Sequence, residues 1–151
     1  MTKMNPVIHF ELPAEDTKRM ADFYSNVFGW EPQFFGEEMG NYVTVSTTDT
    51  DEYGRPSSPG AINGGLFPRT ENMPSNCPSI VIAVDDVNEH IRKVSDAGGK
   101  ILGQPQDIPG IGLYVSFRDT EGNVCSILQP VMPERVEGAL RSDEPGQTGE
   151  K

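Results

Sequence analysis

One short programme is written twice in this chain: an alternating strand, an acidic cap, an amphipathic helix and a glycine stop. The first copy opens with Val7-Ile8-His9-Phe10-Glu11-Leu12, where Ile8, Phe10 and Leu12 alternate with Val7, His9 and Glu11. A period of two with one apolar face is the pattern of a half-buried strand. Pro13 to Thr17 supplies a capping-capable entry, and Met20, Phe23, Tyr24 and Val27 then fall at i, i+3, i+4 and i+7 before Gly29. That spacing predicts an amphipathic helix closed by the glycine. The second copy runs Ser79 to Val84 as a strand, Asp85-Asp86 as cap region, Val87, His90, Ile91 and Val94 as helical stripe, and Gly98-Gly99 as stop. A shift of 70 residues aligns His9 with Ser79, Asp16 with Asp86, Ser25 with Ser95 and Gly29 with Gly99 without a gap. The matched order of elements carries more weight than the few identities, because it repeats a whole supersecondary unit.

Short strands follow each helix. In the first half they are read at Gln33 to Phe35, Tyr42 to Ser46 and Ile62 to Phe67, around a polar surface loop from Asp49 to Gly60. In the second half they are read at Lys100 to Leu102, Leu113 to Phe117 and Val124 to Gln129, with a Pro- and Gly-rich loop reaching to Gly112. A second alignment sets Ile62–Pro68 against Val124–Pro130, both ending in proline. The architecture read from this is an α+β fold, β-α-β-β-β written twice. Module one spans residues 5–70 and module two 76–131, within one domain over 1–132. Arg141 to Lys151 holds no apolar residue, so 133–151 is expected to be a disordered acidic tail, with a short helix from Glu134 to Arg141 as the alternative.

Charge and ligand chemistry narrow the function. Twelve basic against 23 acidic residues leave a net charge of −11 and no cluster of Lys and Arg, which speaks against nucleic acid as partner. No apolar run has the length of a signal peptide or of the roughly 20-residue membrane span. A soluble, cytoplasmic protein without a membrane partner is expected. Cys77 and Cys125 form no CxxC pair and no disulfide framework, which removes a thiolate metal centre. His9 and His90 are the only histidines, so any metal site would also need carboxylates.

These residues carry a family likeness. The paired β-α-β-β-β order, the opening Val-Ile-His-Phe-Glu-Leu-Pro, the helix end Phe23-Tyr24-Ser25-Asn26-Val27-Phe28-Gly29-Trp30 and the turn Asp119-Thr120-Glu121-Gly122-Asn123 resemble the vicinal oxygen chelate superfamily. That group includes glyoxalase I, extradiol dioxygenases, methylmalonyl-CoA epimerase and fosfomycin- and bleomycin-resistance proteins. The resemblance covers about residues 5–131. It implies a curled, cleft-bearing mixed sheet with helices on its outer face, and a homodimer. It also implies metal ligands on the first and last strands of each module. Carried over position by position, those ligand sites fall on His9, Gly64, Ser79 and Ser126. Only His9 matches the usual pattern, since relatives that use a metal present His or Gln at the position of Ser79 and Glu at that of Ser126. A catalytic divalent metal needs about three protein donors or more. One imidazole, two neutral hydroxyls and a glycine do not supply them, so no cofactor is expected.

Individual residues then take roles. His9, on the cleft face of its strand, reads either as a general base or ligand donor, or as a satisfied half-buried histidine. Glu11, two residues on and therefore on the same face, reads as its acid/base partner or as a surface residue. Tyr114, Ser116 and Arg118 alternate with Leu113, Val115 and Phe117, which turns them toward the cleft. Arg118 there would hold an anionic ligand group or a local carboxylate. Gly64, Ser79 and Ser126 as small residues make room for a bulky ligand. Trp30, Tyr42 and Phe67 are candidates for pocket stacking, with core packing preferred for Trp30. His90 reads as structural. The function read from the sequence is binding of a small organic ligand without the usual metal. The alternative is a metal-dependent glyoxalase-like lyase, isomerase or dioxygenase using His9, with a non-catalytic interaction domain as a third class.

Overall fold

A computed structural model describes residues 3–73 and 76–131. The tail 133–151 and the alternative helix Glu134 to Arg141 lie outside the described residues. The elements run β1 (Val7–Ala14), α1 (Thr17–Phe28), β2 (Glu31–Phe34), a 3-10 turn (Glu37–Met39), β3 (Val43–Ser46), β4 (Asn63–Pro68), β5 (Ser79–Ala83), α2 (Val87–Asp96), β6 (Lys100–Ile108), β7 (Gly112–Arg118) and β8 (Val124–Pro130). The repeated programme is legible in the caps. Asp16 accepts from the Arg19 amide at 3.0 Å at the start of α1, and Asp86 accepts from the Asn88 and Glu89 amides at 2.9 and 3.2 Å at the start of α2. Each cap satisfies otherwise orphaned amides and contributes about 1 kcal/mol. Gly29 closes α1 at φ 73°, a left-handed conformation that glycine adopts without strain.

All eight strands form one mixed sheet in the order β2-β3-β4-β1-β5-β8-β7-β6. β1 runs parallel to β4 and β5 parallel to β8, while β1 and β5 meet antiparallel and join the two modules edge to edge. In that central seam Phe10 pairs with Ile80, flanked by His9 with Val81 and Glu11 with Ser79. The shift of 70 carries His9 onto Ser79, Phe10 onto Ile80 and Glu11 onto Val81, so it exchanges the two flanking pairs. An approximate two-fold axis therefore passes between Phe10 and Ile80.

Each helix covers one half of the sheet on the same outer side. Under α1, Ala21 packs with Val43, Val45 and Leu66, and Phe10, Leu12, Met20 and Trp30 close around them. Under α2, Val87 packs with Val84, Val115 and Ile127, surrounded by purely aliphatic and phenylalanine side chains. Trp30 belongs to the first core, stacked on Tyr24 at 4.6 Å between ring centres.

Two sequence expectations change here. Residues 103–108 are not a loop: β6 continues to Ile108, with its register against β7 shifting between Leu102 and Gln106. Gly103, at φ 80°, makes that bulge, and Pro105 is tolerated because β6 is the sheet's edge strand. In β1 the alternation breaks at Ile8, because the register against β5 also shifts between Val7 and His9. Ile8 consequently joins the cleft wall and Val7 is 40% exposed.

Candidate functional site

The face of the sheet away from the helices bears a cavity of about 680 Å³. His9, Glu11, Tyr42, Ser79, Tyr114 and Ser126 are among its lining residues and come from both modules. The sheet is open, with edge strands β2 and β6 unpaired to each other. Three strand intervals of about 4.8 Å separate β1 from β7, and the long Tyr114 and Glu11 side chains span them, with the Tyr114 hydroxyl 2.6 Å from Glu11 Oε1.

Glu11 is the centre of this site, only 9% exposed. Its Oε1 accepts from Tyr114 Oη at 2.6 Å and its Oε2 from Tyr42 Oη at 3.2 Å. Behind Tyr114, Ser126 Oγ donates to the phenol oxygen at 2.7 Å, and Ser116 Oγ lies 3.0 Å from Ser126 Oγ. Behind Tyr42, His9 Nε2 lies 2.8 Å from the phenol oxygen. Proton counting fixes the directions, since each hydroxyl has one proton. Ser126 donates its proton to Tyr114, so Ser116 donates to Ser126. Tyr42 donates its proton to Glu11, so His9 Nε2 carries a proton and donates to Tyr42. Every proton along both arms points toward Glu11. No buried side-chain nitrogen or oxygen in the described residues lacks a partner.

Burial shapes the titration of these groups. Burial, offset in part by the Glu11 charge, holds the His9 imidazole below its ordinary value. A neutral His9 protonated at Nε2 presents Nδ1 as an acceptor. Burial first, then the Glu11 charge and hydrogen bond, pushes both the Tyr42 and the Tyr114 phenol well above the ordinary tyrosine range. Both phenols stay protonated donors throughout the physiological range.

Register shows that the tyrosines are counterparts. Thr44 pairs with Gly65, and Ser116 pairs with Ser126. Glu11 pairs with Gly65, and its counterpart Val81 pairs with Ser126. Gly65 is therefore the module-one counterpart of Ser126, which corrects the sequence alignment at Gly64 by one residue. Gly64 faces the helix side, where an added Cβ would sit 2.2 Å from the Phe10 ring, and it does not line the cavity. At Gly65 an added Cβ would sit 1.6 Å from Tyr42 Oη, so this glycine makes the space through which Tyr42 reaches Glu11. Two residues before Thr44 and Ser116 stand Tyr42 and Tyr114. Sequence reasoning offered Tyr42 as a stacking residue and missed its hydrogen-bonding role. The signal was present in the repeated Tyr42-Val43-Thr44 and Tyr114-Val115-Ser116.

The structure brings together His9, Glu11, Ser79, Tyr114 and Ser126 from the sequence set, adds Tyr42, and leaves out Arg118. Arg118 lies at the far end of β7, donates Nη1 to the Gly122 carbonyl at 3.4 Å in the turn to β8, and is absent from the cavity lining. Phe67 lines the cavity. His90 sits on α2 with Nδ1 3.2 Å from the Asp86 carbonyl and Nε2 3.3 Å from Asn5 Oδ1, away from the cleft.

As to a metal, the site offers one imidazole and one carboxylate, and both carboxylate oxygens already accept from phenols. Nowhere among the described residues do three His, Cys, Asp or Glu gather as a ligand group. A divalent centre with three or more protein donors does not fit this donor set.

A sequence profile of the Glyoxalase/Bleomycin resistance protein/Dioxygenase superfamily matches residues 7–127. A glyoxylase-like domain-containing protein of Didymella fabae is 33% identical over 123 residues, covering 78% of this chain and 88% of that protein. The anthracycline biosynthesis protein DnrV of Streptomyces peucetius is 29% identical over 93% of this chain, which spans only 51% of DnrV. Among solved structures, a methylmalonyl-CoA epimerase variant of Streptomyces coelicolor in complex with 2-nitronate-propionyl-CoA superposes with a TM-score of 0.63 at 17% identity, covering 86% of this chain and all of that one. A protein of Bacillus halodurans does so with the same TM-score at 15% identity, over 87% of this chain and 98% of the other. By the reach of the profile and of the Didymella likeness, the chain belongs to the glyoxalase/bleomycin resistance protein/dioxygenase superfamily.

Proposed function

We propose that this chain binds a small organic molecule in the cleft between its modules, with Glu11 as the anchoring acceptor and without the divalent metal that many members of the superfamily use. The observation that carries this reading is the convergence of both hydrogen-bonded arms on Glu11. A carboxylate held by two phenols is fixed in place and screened from solvent, which suits orientation of a ligand and leaves it poorly placed to chelate. The cavity volume of about 680 Å³ falls within the 300–1,000 Å³ usual for small-molecule sites. Its walls are largely apolar around a few polar groups, with Ile8, Phe67, Val81 and Leu128 among them.

The test is a thermal-shift and calorimetric screen of a small-molecule library on the full chain, with and without a chelator. Ligands that bind should do so equally in both conditions and lose affinity by about tenfold or more in Glu11→Gln. A ligand that binds only when divalent metal is added, with turnover abolished by His9→Ala, would instead support a metal-dependent lyase, isomerase or dioxygenase.

A further inference from the structure

The direction of the protons says more than that a ligand binds; it says which kind. Glu11 consumes both phenol protons. Ser116 and Ser126 pass theirs along the same arm, and the Nε2 proton of His9 is committed to Tyr42. What the centre of the cleft still offers is acceptor capacity: remaining lone pairs on the Glu11 oxygens, Nδ1 of a neutral His9 and lone pairs on Ser116 Oγ. Ser79, opposite Glu11 across the seam, adds a hydroxyl that can serve either way. The charges of the walls agree with this. Glu11, Glu38 and Asp107 line the cavity, and no Lys or Arg appears among the described residues that do.

Resting on the binding reading above, we infer that the cleft selects ligands that donate hydrogen bonds. The preferred ligand is a neutral or cationic molecule with an apolar body that places a hydroxyl or ammonium group on Glu11, and carboxylate- or phosphate-bearing molecules are excluded. An anionic group brought to Glu11 would meet a second negative charge with no Lys or Arg among the described lining residues to offset it, at a cost of desolvation on both sides. An ammonium or hydroxyl group would donate to lone pairs that the network leaves open. The coenzyme A thioester in the epimerase complexes of like fold is anionic, so it falls in the class this cleft rejects.

Three probes on one scaffold separate the possibilities: 2-naphthylmethylamine, 2-naphthylmethanol and 2-naphthoate. Each is titrated into the isotope-labelled full chain, with perturbations followed at Tyr42, Tyr114 and the methyl groups of Val81 and Leu128. The expected result is saturable binding of amine and alcohol at the cleft, each about tenfold or more tighter than the carboxylate. Glu11→Gln should erase that ranking. Because this buried substitution can impair folding, the exposed wall carboxylates supply a second readout: Glu38→Gln with Asp107→Asn should weaken the amine severalfold and leave the alcohol unchanged. Carboxylate binding as tight as the amine overturns the selectivity and leaves the binding function standing. Failure of all three probes to perturb the cleft at millimolar concentration overturns both.

Discussion

Module one and module two share a frame and differ at its centre. Their helices are capped by equivalent aspartates, Asp16 and Asp86, and their strands keep a register that pairs Tyr42 with Tyr114 and Thr44 with Ser116 as counterparts. Across the two-fold axis, however, the position of Glu11 is Val81, which is 2% exposed and apolar, and the position of His9 is Ser79. Two equivalent phenols thus serve one carboxylate, and both arms point the same way because only one module supplies an acceptor. Duplication supplied a symmetric clamp, and chemistry enters where the symmetry is broken.

The largest effect comes from removing that asymmetry. Glu11→Val copies module two into module one and leaves two half-buried phenols without an acceptor, at about 1–3 kcal/mol each. Ligand binding should be abolished and urea unfolding shifted accordingly. Adding Tyr42→Phe and Tyr114→Phe to the same chain should return most of the stability and none of the binding. If the triple variant stays as unstable as Glu11→Val, the phenols were not the cause.

Next in size are the two neighbouring glycines. Gly64→Ala forces its new methyl into the Phe10 ring on the core side and should cost about 1–3 kcal/mol by overpacking. Gly65→Ala places its new methyl 1.6 Å from Tyr42 Oη. It should move the phenol off His9 and Glu11, seen as a changed His9 ring resonance. A Gly65→Ala variant with the His9 resonance unmoved would contradict the assignment of Gly65 to the cleft.

The tyrosine counterparts provide a finer comparison. Tyr114→Phe removes the shorter bond to Glu11 together with the Ser126 bond, and Tyr42→Phe the longer one together with the His9 bond, so Tyr114→Phe should destabilise by about 1–2 kcal/mol and Tyr42→Phe by somewhat less. Both phenols are held neutral by the fold above the unfolded value near 10. Their contribution to stability is therefore complete below pH 10 and lost as pH rises beyond it. Ultraviolet titration should show these two ionising together with unfolding.

His9 gives the smallest effect and the opposite sign. Its value is depressed in the fold, so its contribution is complete above the unfolded value of 6.5 and lost as pH falls through the folded one. The unfolding midpoint should decline from about pH 6.5 downward, and His9→Gln should flatten that slope. An unaltered slope in the variant would show that His9 does not carry it.

Much of this was legible in the sequence, and the exceptions have physical causes. Periodicity found the strands and helices, and the shift of 70 found the two-fold seam, because β1 and β5 are long enough for their apolar faces to repeat. The bulges at Ile8 and Gly103 escaped it, since a register shift is set by the partner strand and not by the strand's own pattern. The misplacement of Gly64 has the same origin. Two strands ending in proline align by their ends, whereas the fold aligns them by pairing with β1 and β5. His9 and Glu11 on one face followed from the period of two. That they do not touch directly, and that Tyr42 stands between them, depended on the pairing of β3 with β4 and of β4 with β1, which no local pattern records.

The central claim is that the cleft is organised around a hydrogen-bonded Glu11 and not around a chelated metal. Elemental analysis of the full chain, purified without chelator and then equilibrated with excess Zn²⁺, Mn²⁺ or Ni²⁺ and desalted, tests this most directly. The account predicts well under one equivalent of any divalent metal retained, with no difference between the wild type and His9→Ala. One equivalent held per chain and lost in His9→Ala would contradict it.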